Sequence, residues 1–543
     1  MPDQMEITLL PEGKKIKVKA GRTLQENLAE HLPVRADCGG RGVCGKCRVI
    51  VETTDDLPEL TDVEKEHLSP GLIASRYRLG CQVIVDRPLM VHLPDSGQDQ
   101  GHVEAKKVFS GPYPVYPALE RLPGKKSLGL AVDLGTTTIA VYLCDLVTGR
   151  ILGSSATVNP QRRFGDDVIS RIHLACKGTS SLKKLQRLAV NAISYLADIC
   201  LVEVKGYRED IDELVIAGNT TMEHILAGID PSGLGRAPFE PAVRSEINLY
   251  AKDLGLNFKP GTRIVMLPVI DGFSGGDTVA CVLSDKPHLR EETTLIVDLG
   301  TNGELVLGSK KGLWSASCAT GPALEGAQLS CGMRATIGAI RACSIDPASF
   351  QFSYVTIGRT ETQPPLGFCG SGILDLVAEL RMVGALKTGG NFEKEMSEVV
   401  PGRNGNLTKV VLIPKEENPA RVEIYVTQQD IRQVQLAKAA LAAGIQYLMK
   451  KVGIDRIDRT ILTGTFGNSF NWKSAVAIGM LPGTEVLGEV ISRDNLAGEG
   501  AVMALLDRNR RSEAEAIGSQ TRYLNLAEEP DFMTQFVDNT QFP

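Results

Sequence analysis

Residues 37–47 read Asp-Cys-Gly-Gly-Arg-Gly-Val-Cys-Gly-Lys-Cys, which brings Cys38, Cys44 and Cys47 close together in the chain. A fourth cysteine, Cys81, follows 34 positions after the third. The spacing C-x5-C-x2-C with one distant cysteine is a ligand pattern for a two-iron, two-sulfur cluster, one residue longer in its first gap than the plant-type pattern. A structural zinc site or free thiols are the alternatives, but structural zinc usually comes with paired short spacings, and only one C-x2-C is present.

The residues around the cysteines predict a small sheet that holds a tight loop. Short strands are predicted at residues 6–10 and 15–18, and the apolar runs 48–51 and 82–85 follow the third and fourth cysteines directly. Thr23 is a candidate helix N-cap because Glu26 follows three residues later. Glycines at 39, 40, 42 and 45 allow the loop to wrap closely and leave backbone N–H groups free to face sulfur. The segment resembles the adrenodoxin-like branch of the ferredoxins, which implies a β-grasp fold with Cys38, Cys44, Cys47 and Cys81 as the iron ligands.

Composition is that of an ordinary globular protein. The chain has 543 residues, 43% hydrophobic and 23% charged, with a net charge of −6 and no long basic run, so nucleic acid is not an expected partner. The N-terminus shows no signal segment and no apolar run approaches 18 residues, so no membrane segment is expected. Four of the 12 cysteines are clustered and eight are scattered, which favours free thiols in a reducing cytoplasm.

The rest of the chain has an α/β texture and contains a long-range repeat. Residues 131–138 (Ala-Val-Asp-Leu-Gly-Thr-Thr-Thr) return as residues 296–303 (Ile-Val-Asp-Leu-Gly-Thr-Asn-Gly), with Asp133 and Asp298 165 positions apart. That distance favours two similar half-domains over a solenoid. The predicted division is a ferredoxin-like domain at 1–95, a linker at 96–127, a first lobe at 128–290 (with 128–206 as a separable middle segment), a second lobe at 291–510, and a capping tail of little pattern at 511–543.

Each copy of the repeat follows a buried apolar run and predicts a phosphate-binding hairpin. Glycine permits a tight turn, and threonine hydroxyls and backbone N–H groups can donate to phosphate oxygens. Either aspartate can hold Mg²⁺, usually through its water shell. Residues 459–468 add a strand that runs into a glycine-rich turn.

These three elements resemble the superfamily of acetate and sugar kinases, heat-shock chaperones and actin. The resemblance implies a two-lobed ATPase with ATP and Mg²⁺ in a cleft and lobe closure as the moving part. A scaffold that no longer binds nucleotide remains the alternative. The residues it assigns to nucleotide binding are Asp133, Gly135, Thr136, Thr137, Asp298, Gly300, Thr301, Gly303, Gly464 and Gly467.

Three further segments narrow the resemblance: residues 159–172, residues 217–222 (Ala-Gly-Asn-Thr-Thr-Met) and residues 320–335. Behind a ferredoxin domain they look like the reductive activators of corrinoid-dependent enzymes, over about residues 1–510. Taken singly, the same segments could be a loop with a helix start, a helix-capping turn and a core segment.

The family resemblance implies a function. Such activators use ATP and an iron–sulfur cluster to return inactive Co(II) of a partner corrinoid protein to Co(I), and the relatives suggest a homodimer and a low-potential electron donor. Asp277 is the candidate to orient water, Glu304 looks like a family feature, and the loop 317–334 is the expected partner-facing surface, where Ser317 or Ser330 could offer oxygen to cobalt.

Three other readings stay open. One is an ATP-driven electron donor to a dehydratase or ring reductase, although such activators usually share a cluster across a dimer and lack a ferredoxin domain. The second is a small-molecule kinase with a redox-sensing module, and the third is an interaction protein with a structural cluster.

Overall fold

The chain forms two compact units, Met1–Leu283 with Ala497–Gly518 and Ser284–Leu496 with Ser519–Pro543. We call them the first and the second unit. The computed structural model describes residues 4–10, 14–31, 40, 42, 45, 47–52, 59–68, 73, 76–92, 102–103, 112–117, 126–165, 167–326, 328–358, 364–396, 399–401, 408–464 and 471–543.

The N-terminal part of the first unit is a five-stranded sheet with two short helices. Its elements are β1 (Gln4–Leu10), β2 (Lys14–Lys19), α1 (Leu24–Leu28), β3 (Arg48–Glu52), α2 (Asp62–His67), β4 (Tyr77–Leu79) and β5 (Leu89–His92). The strand order is β2-β1-β5-β3-β4, with β1 parallel to β5 and the other pairs antiparallel. Alternate apolar residues of the strands pack against Leu24 and Leu28 of α1, which gives the β-grasp core expected from the sequence.

The start of α1 agrees with its prediction. The Thr23 hydroxyl accepts the N–H of Glu26, and the Glu26 carboxylate accepts the N–H of Thr23, both at 3.1 Å. This reciprocal capping satisfies two N–H groups that the first turn of a helix leaves without partners.

The run 82–85 after Cys81 is not one of the strands of this sheet. Val83 and Val85 are buried in alternation, as in a strand. Their backbone groups, however, bond to the segment that enters α1: the N–H of Leu24, the first residue of α1, donates to Val83 O at 2.7 Å, and that of Val85 donates to Arg22 O at 2.8 Å. Burial alternation alone cannot distinguish this extended loop from a strand, because both have a period of two.

The rest of the first unit is built on a seven-stranded sheet of order β11-β12-β10-β7-β8-β9-β6. Its elements are β6 (His102–Val103), β7 (Leu128–Leu134), β8 (Thr138–Asp145), β9 (Ile151–Val158), α3 (Val168–Ala175), α4 (Thr179–Glu203), β10 (Ile211–Gly218), α5 (Thr220–Ala227), β11 (Ile247–Tyr250), α6 (Ala251–Leu254), β12 (Arg263–Met266) and α7 (Gly276–Asp285). Strands β7, β10 and β12 are parallel neighbours, so their carboxyl ends meet at one edge.

Helix α4 is the central helix of this core. Among the described residues it is the one helix long and apolar enough, by length and composition, to cross a membrane. Its apolar residues, including Leu185, Ile193 and Leu196, are buried with those of β7 and β8.

The described parts of the predicted linker are attached to this sheet. Strand β6 pairs with β9, and the N–H of Tyr116 donates to Leu506 O at 3.0 Å. The ferredoxin-like part also contacts the neighbouring domain, because the amide of Asn191 donates to Glu30 O at 2.7 Å. Backbone hydrogen bonds therefore tie these described segments to the rest of the first unit.

The second unit contains a six-stranded sheet of order β23-β22-β13-β14-β15-β24 and two three-stranded sheets. Its elements up to residue 492 are β13 (Thr294–Leu299), β14 (Gly303–Ser309), β15 (Gly312–Cys318), β16 (Ala339–Ile345), β17 (Phe352–Thr356), β18 (Gly367–Phe368), α8 (Gly370–Met382), β19 (Val399–Val400), β20 (Lys409–Ile413), β21 (Ile424–Thr427), α9 (Gln428–Val452), β22 (Arg459–Gly464), α10 (Trp472–Ala477), α11 (Thr484–Leu487) and β23 (Glu489–Ser492). Helix α9 is buried along much of its length and packs on β14 and β15.

The C-terminal residues are more regular than expected. They form α12 (Leu496–Leu506), α13 (Arg508–Gln520), β24 (Arg522–Tyr523) and α14 (Phe532–Asp538). The expectation of little pattern after residue 510 is therefore wrong. Arg511, Ala514 and Ile517 are buried at a spacing of three, a helical signal that the surrounding charges conceal. Arg511 lies in the first unit, where its guanidinium binds the buried carboxylate of Glu213 at 2.8 Å.

Candidate nucleotide and iron–sulfur sites

Cys47 and Cys81 lie side by side in a small buried cluster with Leu68 and Leu79. They are 7% and 6% exposed, and the N–H of Cys81 lies 3.5 Å from Cys47 Sγ, to which it donates. The side-chain amide of Gln82 donates to Cys81 Sγ at 3.5 Å. N–H donors that face sulfur stabilise thiolate charge and tune the potential of an iron–sulfur cluster. The two cysteines thus fit the predicted ligand set, while Cys38 and Cys44 lie outside the described residues.

Glycine is required where the ligand loop passes close to its neighbours. Gly45 has φ +60°, and a Cβ there would lie 2.8 Å from His67 Cβ. Gly40 has φ +85°, and its Cβ would lie 2.7 Å from Gln25 Oε1. A side chain at either position would push the loop off α1 or α2.

A buried ion pair holds α2 against β4 next to Cys81. Arg78 donates to both carboxylate oxygens of Glu64 at 2.8 Å, and Glu64 also accepts the N–H groups of Leu79 and Thr61 at 3.0 Å. Glu64 is fully buried and Arg78 is 4% exposed. Burial raises the pKa of Glu64, but these hydrogen bonds outweigh it and leave the pKa below its ordinary value. The carboxylate is therefore charged at neutral pH and fixes the strand that leads to Cys81.

In the first unit, Asp133 stands at the end of β7 among small side chains. Its register neighbours on the adjacent strands are Ala217 and Ala140, and Ala140 is followed by Ala156. Gly135 makes the turn between β7 and β8, where a Cβ would lie 2.7 Å from Thr138 O. The residues paired with Asp133 and with Ala140 on the adjacent strands are therefore small.

The segment 159–172 braces this turn. The side-chain amide of Asn159 donates to Gly135 O at 2.9 Å, and its backbone N–H donates to Thr137 O at 2.8 Å. Arg171, fully buried on α3, donates to Thr136 O at 2.7 Å. The purely structural alternatives for residues 159–172 and 217–222 also apply, because Asp167 caps α3 and Asn219 caps α5.

In the second unit, Asp298 belongs to a polar row that crosses four strands. Register pairs place Thr463 beside Asp298, Asp298 beside Glu304, and Glu304 beside Ser317. Directly opposed residues share one face, with Cβ atoms about 5 Å apart. Two carboxylates at that separation repel each other unless a cation or a proton lies between them.

The segment 320–335 braces the second turn as 159–172 braces the first. The Thr301 hydroxyl donates to Glu325 Oε1 at 2.9 Å, and the Thr320 hydroxyl donates to Thr301 O at 3.4 Å. Glu325 is 7% exposed. The Thr301 hydroxyl proton is therefore directed at Glu325 and holds the turn to the segment 320–335.

The predicted site glycines of the second unit differ in what lies around them. A Cβ on Gly303 would lie 2.7 Å from Leu441 Cδ1, so packing on α9 accounts for that glycine. A Cβ on Gly300 would have its nearest heavy atom at 3.8 Å. Gly464 has φ +91°, and its Cβ would lie 2.2 Å from Asp298 Oδ1, so the end of β22 passes directly over the carboxylate. Gly467 lies outside the described residues.

The other predicted site residues are placed as follows. Asp277 is half-buried in the first turn of α7, and its Oδ1 accepts the N–H of Thr278 at 2.7 Å. Ser330 is exposed, and its hydroxyl donates to Asp430 Oδ1 at 3.2 Å, at the start of α9.

Sequence reasoning missed Arg171, Glu325 and Glu64 as individual site-building residues. The first two lay inside segments that were singled out, but a charged residue bound to backbone or to threonine has no motif of its own. The signal for Glu64 was available, because Thr61 and Glu64 form the same capping pattern as Thr23 and Glu26.

Known proteins resemble this chain along its whole length. A family model for the 2Fe-2S iron-sulfur cluster binding domain matches residues 7–86, a model for the RACo middle region matches 128–289, and a model described as the C-terminal domain of RACo, the ASKHA domain, matches 292–543. Corrinoid activation enzyme RamQ of Eubacterium limosum is 32% identical and covers 94% of both chains. The [Co(II) methylated amine-specific corrinoid protein] reductase of Methanosarcina barkeri is 24% identical over 65% of this chain and 66% of that protein. The solved structure of a reductive activator for corrinoid, iron–sulfur protein is 29% identical, has a TM-score of 0.70, and covers 99% of this chain and 98% of its own.

A 2Fe-2S domain joined to an ASKHA-type domain defines an iron–sulfur electron-transfer protein that binds ATP. Within that class, the chain belongs to the family of reductive activators of corrinoid-dependent enzymes. The resemblance drawn from the sequence is thus confirmed. The ASKHA description is attached to 292–543, so the assignment of 128–290 as the first lobe of the same ATPase stays a prediction.

Proposed function

We propose that the protein uses ATP to reduce the inactive Co(II) of a partner corrinoid protein to Co(I), in a methyltransferase or O-demethylase system. The observation that supports this most strongly is the pairing of a cysteine site of ferredoxin type with two braced phosphate-type hairpins in a chain that matches corrinoid activators end to end. The natural source of electrons is a low-potential donor, and the protein works in the cytoplasm as a homodimer.

The residues around the cluster site influence the potential at which electrons are supplied. When bound, a two-iron cluster of plant type supplies single electrons at about −400 mV. Cys47 and Cys81, with Cys38 and Cys44, hold it, and the N–H donors from Cys81 and Gln82 adjust the charge on sulfur. Reduction of Co(II) needs a lower potential than that of the cluster. Each 59 mV of difference between the two potentials changes the equilibrium constant for one-electron transfer about tenfold.

The residues of the two hairpins give the ATP requirement a physical basis. Asp133 and the polar row Asp298–Glu304 supply carboxylates, and Mg²⁺ suits the opposed pair because hard oxygen ligands are what it prefers. Asp277 orients water for hydrolysis. ATP can shift the electron-transfer equilibrium only by the difference in its binding to two states of the complex, so its contacts with these residues must differ between the states.

The partner-facing surface is the loop 317–334. Ser330 is exposed there, and its position is fixed because its N–H and its hydroxyl both bond to Asp430 Oδ1, at 2.8 and 3.2 Å. A Ser330→Ala variant that still reduces cobalt at the wild-type rate would remove its proposed role as an oxygen donor to cobalt.

The deciding experiment is anaerobic. The reduced protein is mixed with a panel of Co(II) corrinoid proteins, and the Co(I) absorption band is followed with and without Mg-ATP. We expect ATP-dependent Co(I) with one partner, loss of the signal in Cys81→Ser, and no loss in Cys176→Ser, which changes an exposed cysteine of α3's C-cap. ATP hydrolysis with a redox-active cluster but no Co(I) across the panel would instead point to a different electron acceptor.

A further inference from the structure

The ferredoxin-like part of the first unit contacts the segment that braces the β7–β8 turn. We call residues 159–165 the bracing segment. The guanidinium of Arg163, in this segment, donates to Glu26 O of α1 at 3.5 Å. The amide of Asn191, on α4, donates to Glu30 O just after α1 at 2.7 Å. The bracing segment and α4 therefore both bind the same short helix of the ferredoxin-like part.

The bracing segment is tied to the β7–β8 turn at both of its ends. At its start, the backbone N–H of Asn159 donates to Thr137 O at 2.8 Å. At its end, Gly165 O accepts a hydrogen bond of 3.1 Å from Arg171, which also donates to the turn. The residues between these ends form a short 3-10 helix. A movement of the turn therefore moves the backbone that carries Arg163.

The side chain of Arg163 is held on its own side of the contact. Arg163 Cζ lies 4.6 Å from the centroid of the Phe164 ring, and Lys184 Nζ lies 4.2 Å from the same centroid. A cation at this distance from an aromatic ring is attracted to it. The Gln161 amide donates to Leu185 O at 2.9 Å and joins the bracing segment to α4. The two elements thus present one basic surface to α1.

The two sides of the contact are complementary in charge. Burial lowers the pKa of Arg163, the carboxylates of Glu26 and Glu30 oppose that effect, and Arg22 adds to it. Glu30 in turn binds Arg22 at 2.8 Å. The buried apolar clusters on the two sides share no residue among those that the structure describes. A polar contact of this kind between domains allows them to separate and to dock again.

On the other side, α1 is tied to the predicted cluster ligands. Gln25 is 3% exposed, and its N–H donates to Gly80 O at 2.9 Å. The N–H of Gly80 donates to Cys47 O at 2.7 Å, and Gly80 is followed by Cys81. The helix that binds Arg163 therefore also holds the backbone beside two of the cysteines.

We propose that the bracing segment couples nucleotide binding at the β7–β8 turn to docking of the ferredoxin-like part, with Arg163 as a positioning residue. The inference rests on the proposed use of ATP. A phosphate that accepts the N–H groups of the turn holds the bracing segment still, so α1 loses less freedom when it docks there. Nucleotide thus favours the docked arrangement, and docking tightens nucleotide binding by the same factor. Loss of nucleotide frees the ferredoxin-like part, so ATP controls where the cluster can reach.

The first test perturbs docking without touching the turn. Asn191 lies on α4, outside the turn and the bracing segment, and Asn191→Asp places an acceptor opposite Glu30 O. We expect this change to raise the Kd of the full chain for the non-hydrolysable analogue Mg-AMPPNP at least about fivefold, measured by calorimetry. The visible circular dichroism of the cluster should stay as in the wild type.

Asn248→Asp is the matched control. Asn248 is an exposed asparagine of the first unit, and it too donates to a glutamate oxygen, Glu246 Oε1, at 2.7 Å. It lies on β11, and this variant should keep the wild-type Kd.

The second test follows hydrogen exchange of the backbone amides of residues 24–30 by mass spectrometry. In the wild type, Mg-AMPPNP should slow this exchange at least about fivefold, since docking protects α1. The effect should be lost in Asn191→Asp and in Arg163→Met, because each removes a donor to the helix or to the residues just after it.

The outcomes separate this inference from the proposed function. Exchange at residues 24–30 that does not change when Mg-AMPPNP binds refutes the coupling alone, and so does a folded Asn191→Asp variant with the wild-type Kd. If that variant does not fold, the exchange measurement on the wild type decides. A wild-type protein that binds no Mg-AMPPNP refutes the proposed use of ATP and this inference with it.

Discussion

Replacing Arg78 with Met should destabilise the cluster-binding domain more than any surface change in it. The variant removes two 2.8 Å hydrogen bonds from the Glu64 carboxylate and leaves that fully buried group with the two N–H donors of Leu79 and Thr61. Breaking a buried ion pair by removing one partner costs about 3–5 kcal/mol, because the remaining charge has lost its counter-ion. For a domain of this size, each 1 kcal/mol is about 4–8 °C in Tm, so the expected loss is about 12–40 °C.

The assay is the thermal loss of the visible circular dichroism of the cluster, recorded anaerobically on the full chain at one fixed scan rate. The double variant Glu64→Leu/Arg78→Met is the matched control, because it removes both charges and should recover most of the stability. A Tm loss below about 4 °C for Arg78→Met would refute the reasoning. So would a double variant that is less stable than the single one, since the penalty would then not come from the uncompensated carboxylate.

Three further predictions concern the nucleotide site and pH. Gly464→Ala should abolish ATP binding measured by calorimetry, because its Cβ would lie 2.2 Å from Asp298 Oδ1. The control Gly389→Ala has open space around the added Cβ and should bind ATP normally. Equal binding by both variants would contradict the geometry. Arg171→Met removes the buried donor to the first phosphate-type turn. Losing a hydrogen bond from a charged group costs about 1.5–3 kcal/mol, so the Kd for ATP should rise by about 10- to 100-fold. A folded variant with the wild-type Kd would refute this prediction. The pKa of Glu64 in the folded protein is below its ordinary 4.5, so its contribution to the stability of the fold is complete above that pH and is lost as the pH falls below it. Glu64→Gln should therefore flatten the acid side of the curve of folding stability against pH, measured by chemical denaturation.

The sequence was informative wherever chemistry repeats in a recognisable spacing. The cysteine pattern, the two Asp-x-Gly-Thr hairpins and the α1 capping box were each predicted from local residues, and the structure places the hairpins and the capping box on the expected strands and helix. Local spacing works here because each of these features, apart from the distant Cys81, is decided within a short stretch of the chain.

The contacts that build the sites were not accessible in this way. Arg171 and Glu325 act across 35 and 24 positions of the chain, and the row from Thr463 to Ser317 depends on the register of four strands. The same limit applies at residues 82–85, where the side chains are buried in alternation but the backbone partner is not a strand. In physical terms, periodicity predicts which face of a segment is buried, whereas a long-range partner is set by topology.

The return of residues 497–518 to the first unit has a consequence for how the protein is made. Glu213 and its buried counter-ion Arg511 are separated by 298 positions, so the ribosome must add all of these residues before the pair can form. At about 5–20 residues per second this takes about 15–60 s. Throughout that time the strand that carries Glu213 has been synthesised, but its charge has no partner. The first unit therefore cannot finish folding in the order in which it is translated, and the nascent chain must wait, incompletely folded and open to chaperones, until its C-terminal helices emerge.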